Sequence, residues 1–414
     1  MRISTNTLYD SNINSMNQQQ TNLLHTQLQV STGLRVMTPA DDPAAAAQVI
    51  EVSQSNAANT QYATNRNAAT TALSMSEGVL QSVTTLIQNI QTTAVNAGDG
   101  TLNNSDRQTL ATTLQGQLNQ LISLANSKDG TGNYLFSGLQ GSTQPFVTTA
   151  SGVQYQGDSG QHLIQVSSSE QMPVNATGSD LFMNVKNGNG SFATAASSTN
   201  TGSGIIGQGG LDTPPPTAAQ RGNSYTLTFN VSGGVTTYSV SGTDPSGASL
   251  PATSLPLPNQ PYTSGQSISF NGVQFNIQGA PASGDTFTIV PSANVSLFQT
   301  IQNLITTLNT PITAGNPASS AAFTQQLNLA SGNLNQGLNQ VLTVRAAIGS
   351  NLNTLTALQS AGSALGLQYQ TTLSQLQDLD YTKALSQLSQ QQLGLQAAMQ
   401  SFKTVSGLSL FNYM

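Results

Sequence analysis

Few residues in this chain have side chains that could act on another molecule. Charged residues make up 6% of it and cysteine is absent, which excludes thiolate nucleophiles, disulfides and thiolate metal sites. The two histidines, His25 and His162, have no Cys, Asp or Glu partner at metal-ligand spacing and read as solvated or packing residues. Asp41 with Asp42, and Asp378 with Asp380, come nearest to paired carboxylates for acid–base work. Neither pair has a converging His, Lys or metal ligand. The segment GSGIIG at 202–207 satisfies a GxGxxG pattern, but it lies in a low-complexity stretch with no strand before it and no helix after it, so it reads as chance. The many Ser and Thr hydroxyls have no base beside them. An enzyme would have to place its activity in the middle of the chain, where Arg221, Asp244 and Asp285 form no recognisable constellation.

The same charged residues read better as marks at the ends of helices. Tyr9, Met16, Leu23 and Val30 recur every seven residues, with Ile13, Gln20 and Gln27 as a second, largely polar row, the pattern of an amphipathic helix with a heptad seam. Gly33 can take the left-handed conformation that ends a helix, and Arg35 follows where a helix C-terminus favours positive charge. Asp42 before Pro43 reads as an N-cap ahead of a proline in the first turn, with both aspartates near the positive end of a new helix. Gly33, Arg35, Asp41, Asp42 and Pro43 therefore mark a joint between two helices.

The second helix is expected from Pro43 to about Ala97. Leu73, Leu80, Ile87 and Ala94 form one row on it, Val83, Ile90 and Ala97 another, and the GDG turn at 98–100 stops it. Ser105 and Gln108 resemble a capping box that opens a third helix carrying Leu110, Leu114, Leu121 and Leu124.

From Tyr134 the pattern changes to short alternating runs. Val153 and Tyr155 lead into the turn GDSG, with His162, Ile164 and Val166 beyond it, which predicts a hairpin. Residues 186–216 are rich in Gly, Ser, Thr and Pro and read as a loop or linker. Alternation resumes at Tyr225, Leu227, Phe229 and Val231, turns at Ser-Gly-Gly and returns through Tyr238 and Val240. Ile268 and Phe270 are expected to meet Val273, Phe275 and Ile277 across Asn271-Gly272, a type I′ hairpin signal.

Helical spacing returns in Leu297, Ile301, Leu304 and Leu308, breaks at TPITAGNP, and holds from Leu327 through Leu334, Val341, Ile348 and Leu355, with Ala330, Val344, Leu358 and Leu365 as a companion row. A new phase then appears in Tyr381, Leu388, Leu395 and Phe402, with Leu385 and Met399 between them. The break at Asp378 to Asp380 is the counterpart of the joint at Asp41.

Composition agrees with an assembly role. Only 37% of the chain is hydrophobic, below the usual share, and the polar remainder is mostly amide and hydroxyl. Such side chains pack among neighbours at a lower desolvation penalty than ions. Short, weakly apolar arm helices gain their stability from packing, against each other or against other copies; a single monomeric bundle is the plainer alternative. A net charge of −6 argues against a nucleic-acid partner. No run is long and apolar enough to span a bilayer, and the first thirty residues lack a secretory-signal pattern.

The stretch STGLRVMTPADDPAAAAQ, from Ser31 to Gln48, resembles the signature of the bacterial flagellin superfamily, and DLDYTKALSQLSQQQLGLQAAM, from Asp378 to Met399, is similar to its C-terminal counterpart. Three features resemble its hook–filament junction members more than flagellin itself: DDPAAAA after the joint, YLFSGLQGSTQPF paired with YQGDSG, and the ending LSLFNYM. The likeness covers about the outer two-thirds of the chain; nothing in 186–290 carries it.

This resemblance implies a mainly α protein with a β-rich insert: a flagellin-like elongated helical rod with paired terminal coiled-coil arms and a central β domain. The expected segments are an arm helix at 1–40, rod helices at 41–133, a β-hairpin region at 134–185, the outward insert at 186–290, returning rod helices at 291–376 and the second arm at 377–414. It implies no enzyme activity and no cofactor. The subunit would be exported through the flagellar type III channel without a cleaved signal, with an export chaperone, to the extracellular flagellum. There its partners would be copies of itself, a hook-side junction protein (hook-associated protein 1) and flagellin. In that family, regions matching Arg2 to Val30 and Tyr381 to Phe402 carry subunit contacts, which nominates Tyr9, Met16, Leu23, Val30, Tyr381, Leu385, Leu388, Leu395, Met399 and Phe402. Alternatives are a flagellin that polymerises indefinitely and an adhesin-like binding module on the insert.

Overall fold

The computed structural model describes residues 5–407 apart from 214, 216, 218, 219 and 221; Arg221, Arg2 and the LSLFNYM ending lie outside the described residues. The chain forms two compact units. One, here the terminal unit, comprises the chain up to Arg66, Val166–Ser169 and the chain from Thr356; the other comprises Asn67–Gln165 and Glu170–Leu355.

Six α-helices carry the heptad signals: α1 (Thr5–Thr32), α2 (Pro43–Ala97), α3 (Asn104–Ala125), α4 (Leu297–Asn309), α5 (Pro317–Gln377) and α6 (Tyr381–Gly407). The break in spacing at 378–380 is the gap between α5 and α6. In the larger unit most of the expected rows are core: Leu73, Leu80, Ile87 and Ile90 on α2, Leu114 and Leu121 on α3, and Leu334, Val341, Ile348 and Leu355 on α5 are buried, whereas Leu110, Leu124 and Val344 are half-buried, and of the companion row on α5 beyond this unit Leu358 is half-buried and Leu365 exposed. Burial falls where the apolar residues recur, so the helices owe their position to packing of that stripe rather than to intrinsic propensity.

The cap of α3 differs from the expected one. Asn103, not Ser105, is the N-cap: its Oδ1 accepts from the N–H groups of Ser105 at 2.8 Å and Asp106 at 3.0 Å, and Asp106 accepts from the N–H of Asn103 at 3.1 Å. An Asn–Asp pair makes the same reciprocal box as Ser–Gln, two residues earlier.

The expected hairpin across GDSG is also replaced. Instead β1 (Phe146–Thr149) pairs with β2 (Gly152–Tyr155), and β3 (Leu163–Gln165) pairs with β4 (Gln171–Pro173), both antiparallel. The GDSG segment is held by side chains instead of a ladder. Asp158 Oδ1 accepts from the N–H groups of Leu139 at 2.9 Å and Gly160 at 2.7 Å, and Tyr155 donates to the carbonyls of Phe136 and Asp158 at 3.0 and 2.7 Å. YLFSG and YQGDSG thus close on each other around Phe136, Phe146, Phe182 and Phe298, packed edge-on or tilted. Burial pushes the Tyr155 hydroxyl up to about 12.

The insert opens and closes on one short ladder, β5 (Val185–Lys186) against β15 (Asn294–Val295). The Gly/Ser/Thr/Pro stretch read as linker contains three strands, β6 (Phe192–Ala196), β7 (Ile205–Ile206) and β8 (Gly210–Leu211). They are too short for alternation to stand out. β9 (Ser224–Ser232) and β10 (Val235–Thr243) form the expected hairpin, with Gly233 and Gly234 both at positive φ, 59° and 81°. With β11 (Gln260–Pro261) and β14 (Thr286–Pro291) they make a five-stranded sheet in the order β11-β10-β9-β14-β6. The second expected hairpin joins β12 (Ser267–Phe270) to β13 (Val273–Gln278), with φ of 51° at Asn271 and 78° at Gly272, as a type I′ turn requires. One cluster, including Leu227, Phe229, Phe275, Ile277, Phe287 and Ile289, is the insert's core.

Candidate functional site

The terminal unit brings the two ends of the described chain together. α1 and α6 pack antiparallel: the rings of Tyr9 and Phe402 meet at 5.1 Å at one end, and the Tyr381 hydroxyl lies over Gly33 at the other. Tyr9, Met16, Leu23 and Val30 face the partner helix, half-buried. The second row of α1 is Asn12, Gln19 and Thr26 rather than Ile13, Gln20 and Gln27, which are exposed. A spacing of three alternating with four keeps a stripe on one side of a 3.6-residue turn, and here the polar residues three beyond each apolar one fall closer to the seam. On α6 the seam is Ala384, Leu388, Gln391, Leu395, Ala398 and Phe402. Leu385 and Met399 are not on it: they are 48% and 46% exposed. Each follows a seam alanine, Ala384 or Ala398, by one residue, a turn of about 100° that carries its side chain away from α1.

Both joints lie at the Gly33–Tyr381 end of this pair and use Arg35, Asp41, Asp42, Asp378 and Asp380. Gly33 has φ of 74° and its N–H donates to the Gln29 carbonyl at 2.8 Å, the left-handed stop expected for α1. Its own carbonyl accepts from Leu379 at 2.9 Å, and the Arg35 N–H donates to the Gln377 carbonyl at 2.7 Å. The guanidinium of Arg35 then bridges the Leu376 carbonyl at 2.6 Å and Asp42 at 3.1 Å. Asp42 caps α2 by accepting from Ala45 at 3.1 Å, and Pro43 is the first helical residue. Asp41 does different work, accepting from the N–H groups of Met37 and Thr38 at 3.0 and 2.8 Å. It also meets His25 at 2.8 Å, a pairing across sixteen residues that sequence spacing could not reveal. The N–H of Thr38 and the His25 ring hold the Asp41 carboxyl down to about 2. Asp380 caps α6 through Thr382 and Lys383 at 3.0 and 3.2 Å, and Asp378 accepts from Ser374 at 2.5 Å. The paired aspartates are caps and clasps.

Two polar contacts escape the sequence reading altogether. In the terminal unit Arg66, 3% exposed, donates from Nε to Gln359 at 2.9 Å and from Nη1 to the Val166 carbonyl at 3.0 Å, and its guanidinium lies against Gly362. In the larger unit Arg345 donates to Glu77 at 2.7 and 2.9 Å, to Thr84 at 3.2 Å and to Gln81. Isolated Arg residues in long helices give no sign of which distant partner they meet.

Candidates in the insert resolve into turn supports. Asp285, 2% exposed, accepts from the N–H groups of Thr201, Gly202 and Ala282 at 2.8, 3.0 and 2.9 Å. That ties down the start of GSGIIG, which continues into strand β7 and not into a phosphate loop. Asp244 closes a local turn on Ser246 and Ala248. Among the described residues no three His, Cys, Asp or Glu side chains gather as a metal site, and no helix is long and apolar enough to cross a membrane.

Paired terminal helices, a capped joint beyond each and a β-rich middle define a subunit of the flagellin type; the family model for the bacterial flagellin N-terminal helical region matches residues 3–141. Within that class the chain belongs to the flagellar hook-associated protein 3 family. It is 30% identical over 411 residues, 99% of each chain, to flagellar hook-associated protein 3 of Salmonella typhimurium. Among solved structures, flagellar hook-associated protein 3 of Legionella pneumophila superposes with a TM-score of 0.72 at 33% identity, over 79% of this chain and 98% of that one. The Xanthomonas campestris protein FlgL matches at 0.67 and 28%, over 78% and 99%.

Proposed function

We propose that this chain is a structural subunit of the bacterial flagellum, forming the layer that joins hook-side protein to the flagellin filament. The observation that carries this reading is likeness along 99% of the chain to flagellar hook-associated protein 3, with both helices of the terminal pair included. A Legionella pneumophila relative, 32% identical over 80% of this chain, is itself described as the flagellar junction protein FlgL. In the proposed assembly the subunit is exported without a cleaved signal, with a chaperone, and meets copies of itself, hook-associated protein 1 and flagellin outside the cell. Exposed apolar side chains spread along α1 and α6, Leu24, Leu28, Leu385 and Met399 among them, offer the many modest contacts that suit a layer binding a different lattice on each face. The deciding experiment is electron microscopy of purified hooks already bearing hook-associated protein 1, incubated with this protein and then with flagellin. A short layer that stops and then supports filament growth is the expected result. Indefinite growth by this protein alone would make it a filament subunit, and failure to bind hook ends would overturn the junction assignment.

A further inference from the structure

In the larger unit Arg107 is a buried cation without a counter-ion. It is 7% exposed and forms no ion pair among the described residues, although arginine keeps its charge in any protein environment. The carboxylates nearest in sequence are committed elsewhere. Asp106 accepts from the N–H of Asn103 at 3.1 Å, and Asp99 accepts from the N–H and hydroxyl of Thr101 at 2.9 and 2.8 Å. The guanidinium makes one hydrogen bond, from Nη2 to Asn104 Oδ1 at 3.0 Å; Nε is buried with no partner, and Nη1 has none either but is open to solvent. The group lies over the Phe323 ring, 5.1 Å from its centroid. Phe323 also lines a cavity of about 170 Å³ together with Pro311, Ile312 and Ala322. An open cationic edge and an apolar slot thus share one ring.

We infer that this seat takes a carboxylate with a branched aliphatic side chain beside it, and that Ile50 and Glu51 of a second copy supply the two. The ring face attracts the guanidinium but leaves most of its N–H groups unbonded, and a carboxylate forks onto two of them at once. The slot is about the size of a cavity that holds a benzene ring, which admits an aliphatic side chain next to the charge. Among the described residues three carboxylates meet neither a cation nor a hydrogen-bond donor: Asp10, Glu51 and Glu170. Of these Glu51 is exposed and has the most exposed apolar neighbour, Ile50 at 57%, against 42% for Ile13 one turn beyond Asp10. An unmatched anion and an unmatched cation on one kind of chain are complementary between two copies. The inference requires only that two copies meet and stands whether or not the chain builds a junction.

Two measurements on the full-length chain test the seat and its occupant separately. In nitrogen-15-labelled protein, isocaproate, a carboxylate on a branched aliphatic chain, should move the Arg107 Nε–H resonance saturably while those of Arg66 and Arg345 stay in place. Its dissociation constant should lie at least about tenfold below that of acetate, since the branched chain is buried in the slot. No shift at Arg107, or equal constants for the two acids, would overturn the seat. Arg107→Lys then keeps the charge and adds an amine that carbodiimide joins to a paired carboxylate. A concentrated mixture of labelled and unlabelled copies of this variant should yield the position-107 peptide joined to the Glu51 peptide, with links between a labelled and an unlabelled copy among the products. An unlinked amine, links confined to single copies, or a link to Asp10 or Glu170 instead would overturn Glu51 of a second copy as the occupant.

Discussion

Tyr9 and Phe402, 393 positions apart in the chain, stand edge to face with ring centroids 5.1 Å apart at 71°. An aromatic pair in this geometry adds about 0.5–1.5 kcal/mol beyond its area burial. Tyr9→Ala and Phe402→Ala should each loosen the outer end of the α1–α6 pair, and a double-mutant cycle should return coupling within that range. Amide hydrogen exchange at the start of α1 is the measurement. Additive effects of the two substitutions would show that the rings do not hold the helices together.

The joint between α1 and α2 has a pH signature. Asp41 accepts from the Thr38 N–H and from His25, which hold its carboxyl at about 2 against an ordinary 3.8. The folded value lies below the unfolded one, so the contribution of Asp41 is fully present above about 3.8 and is lost as pH falls towards about 2. A carbon-13 carboxyl titration of the intact protein should give a midpoint near 2 for Asp41. Replacing His25 with Ala should move that midpoint upwards without reaching 3.8, because the Thr38 and Met37 contacts remain; an unmoved midpoint would remove His25 from the clasp.

How far these contacts could be read from the chain depends on their range. Gly33, Asp42 with Pro43, and Asp380 act within a few residues of themselves, through φ, caps and local hydrogen bonds, so composition and order were enough to place both joints. The long rows on α2 and α5 were equally legible because burial repeats with the helix turn. Within the insert, Asn271-Gly272 and Gly233-Gly234 announced their turns, but β6, β7 and β8 are two to five residues long and their Gly and Thr residues pack by tertiary contact alone. The split of α6 into a seam and an outer face was hidden for a different reason. Leu385 and Leu388 are both apolar, and only the partner helix decides which of them is covered. His25, Arg66 and Arg345 meet partners far along the sequence, which no local rule identifies.

Arg345 and Glu77 form the one ion pair among the described residues of the larger unit, with side chains 20% and 31% exposed. That places it between a surface pair, worth up to about 1 kcal/mol, and a buried pair, whose breaking costs about 3–5 kcal/mol. Glu77→Gln should therefore destabilise the unit by about 1–3 kcal/mol in urea unfolding, since Arg345 keeps a desolvated charge. Joint replacement by Met at both positions should recover most of the loss. If the double variant were as unstable as the single, the cost would come from packing rather than from the stranded charge.

Gly362 has its side-chain position occupied by the Arg66 guanidinium, and Asn59 donates to the Gly362 carbonyl at 2.8 Å. An added methyl must push Arg66 off Gln359 or off the Val166 carbonyl. Gly362→Ala should cost about 1–3 kcal/mol, as overpacking does, even though alanine is the better helix former. Arg66→Leu should cost stability alone, yet make Gly362→Ala nearly neutral when the two are combined. Denaturant unfolding of the four proteins in the cycle decides the matter: a Gly362→Ala cost that persists in the Arg66→Leu background would place the clash elsewhere.

The outer face of the terminal pair separates folding from assembly. Leu388 and Leu395 lie on the seam that α6 shares with α1, so aspartate at both positions should melt that pair within the single chain, and loss of assembly would follow trivially. Leu385, Leu393 and Met399 are 48%, 69% and 46% exposed, as are Ile13, Leu24 and Leu28 on α1 at 42%, 54% and 56%. Removing exposed apolar side chains from a single chain changes its stability little, within about 0.5 kcal/mol, whereas the same side chains buried against a neighbour contribute about 1.5–3 kcal/mol each. Leu385→Asp with Met399→Asp should therefore leave the helicity and melting of the free protein unchanged while abolishing layer formation on hooks bearing hook-associated protein 1. Normal layers from that variant would remove Leu385 and Met399 from the subunit contacts.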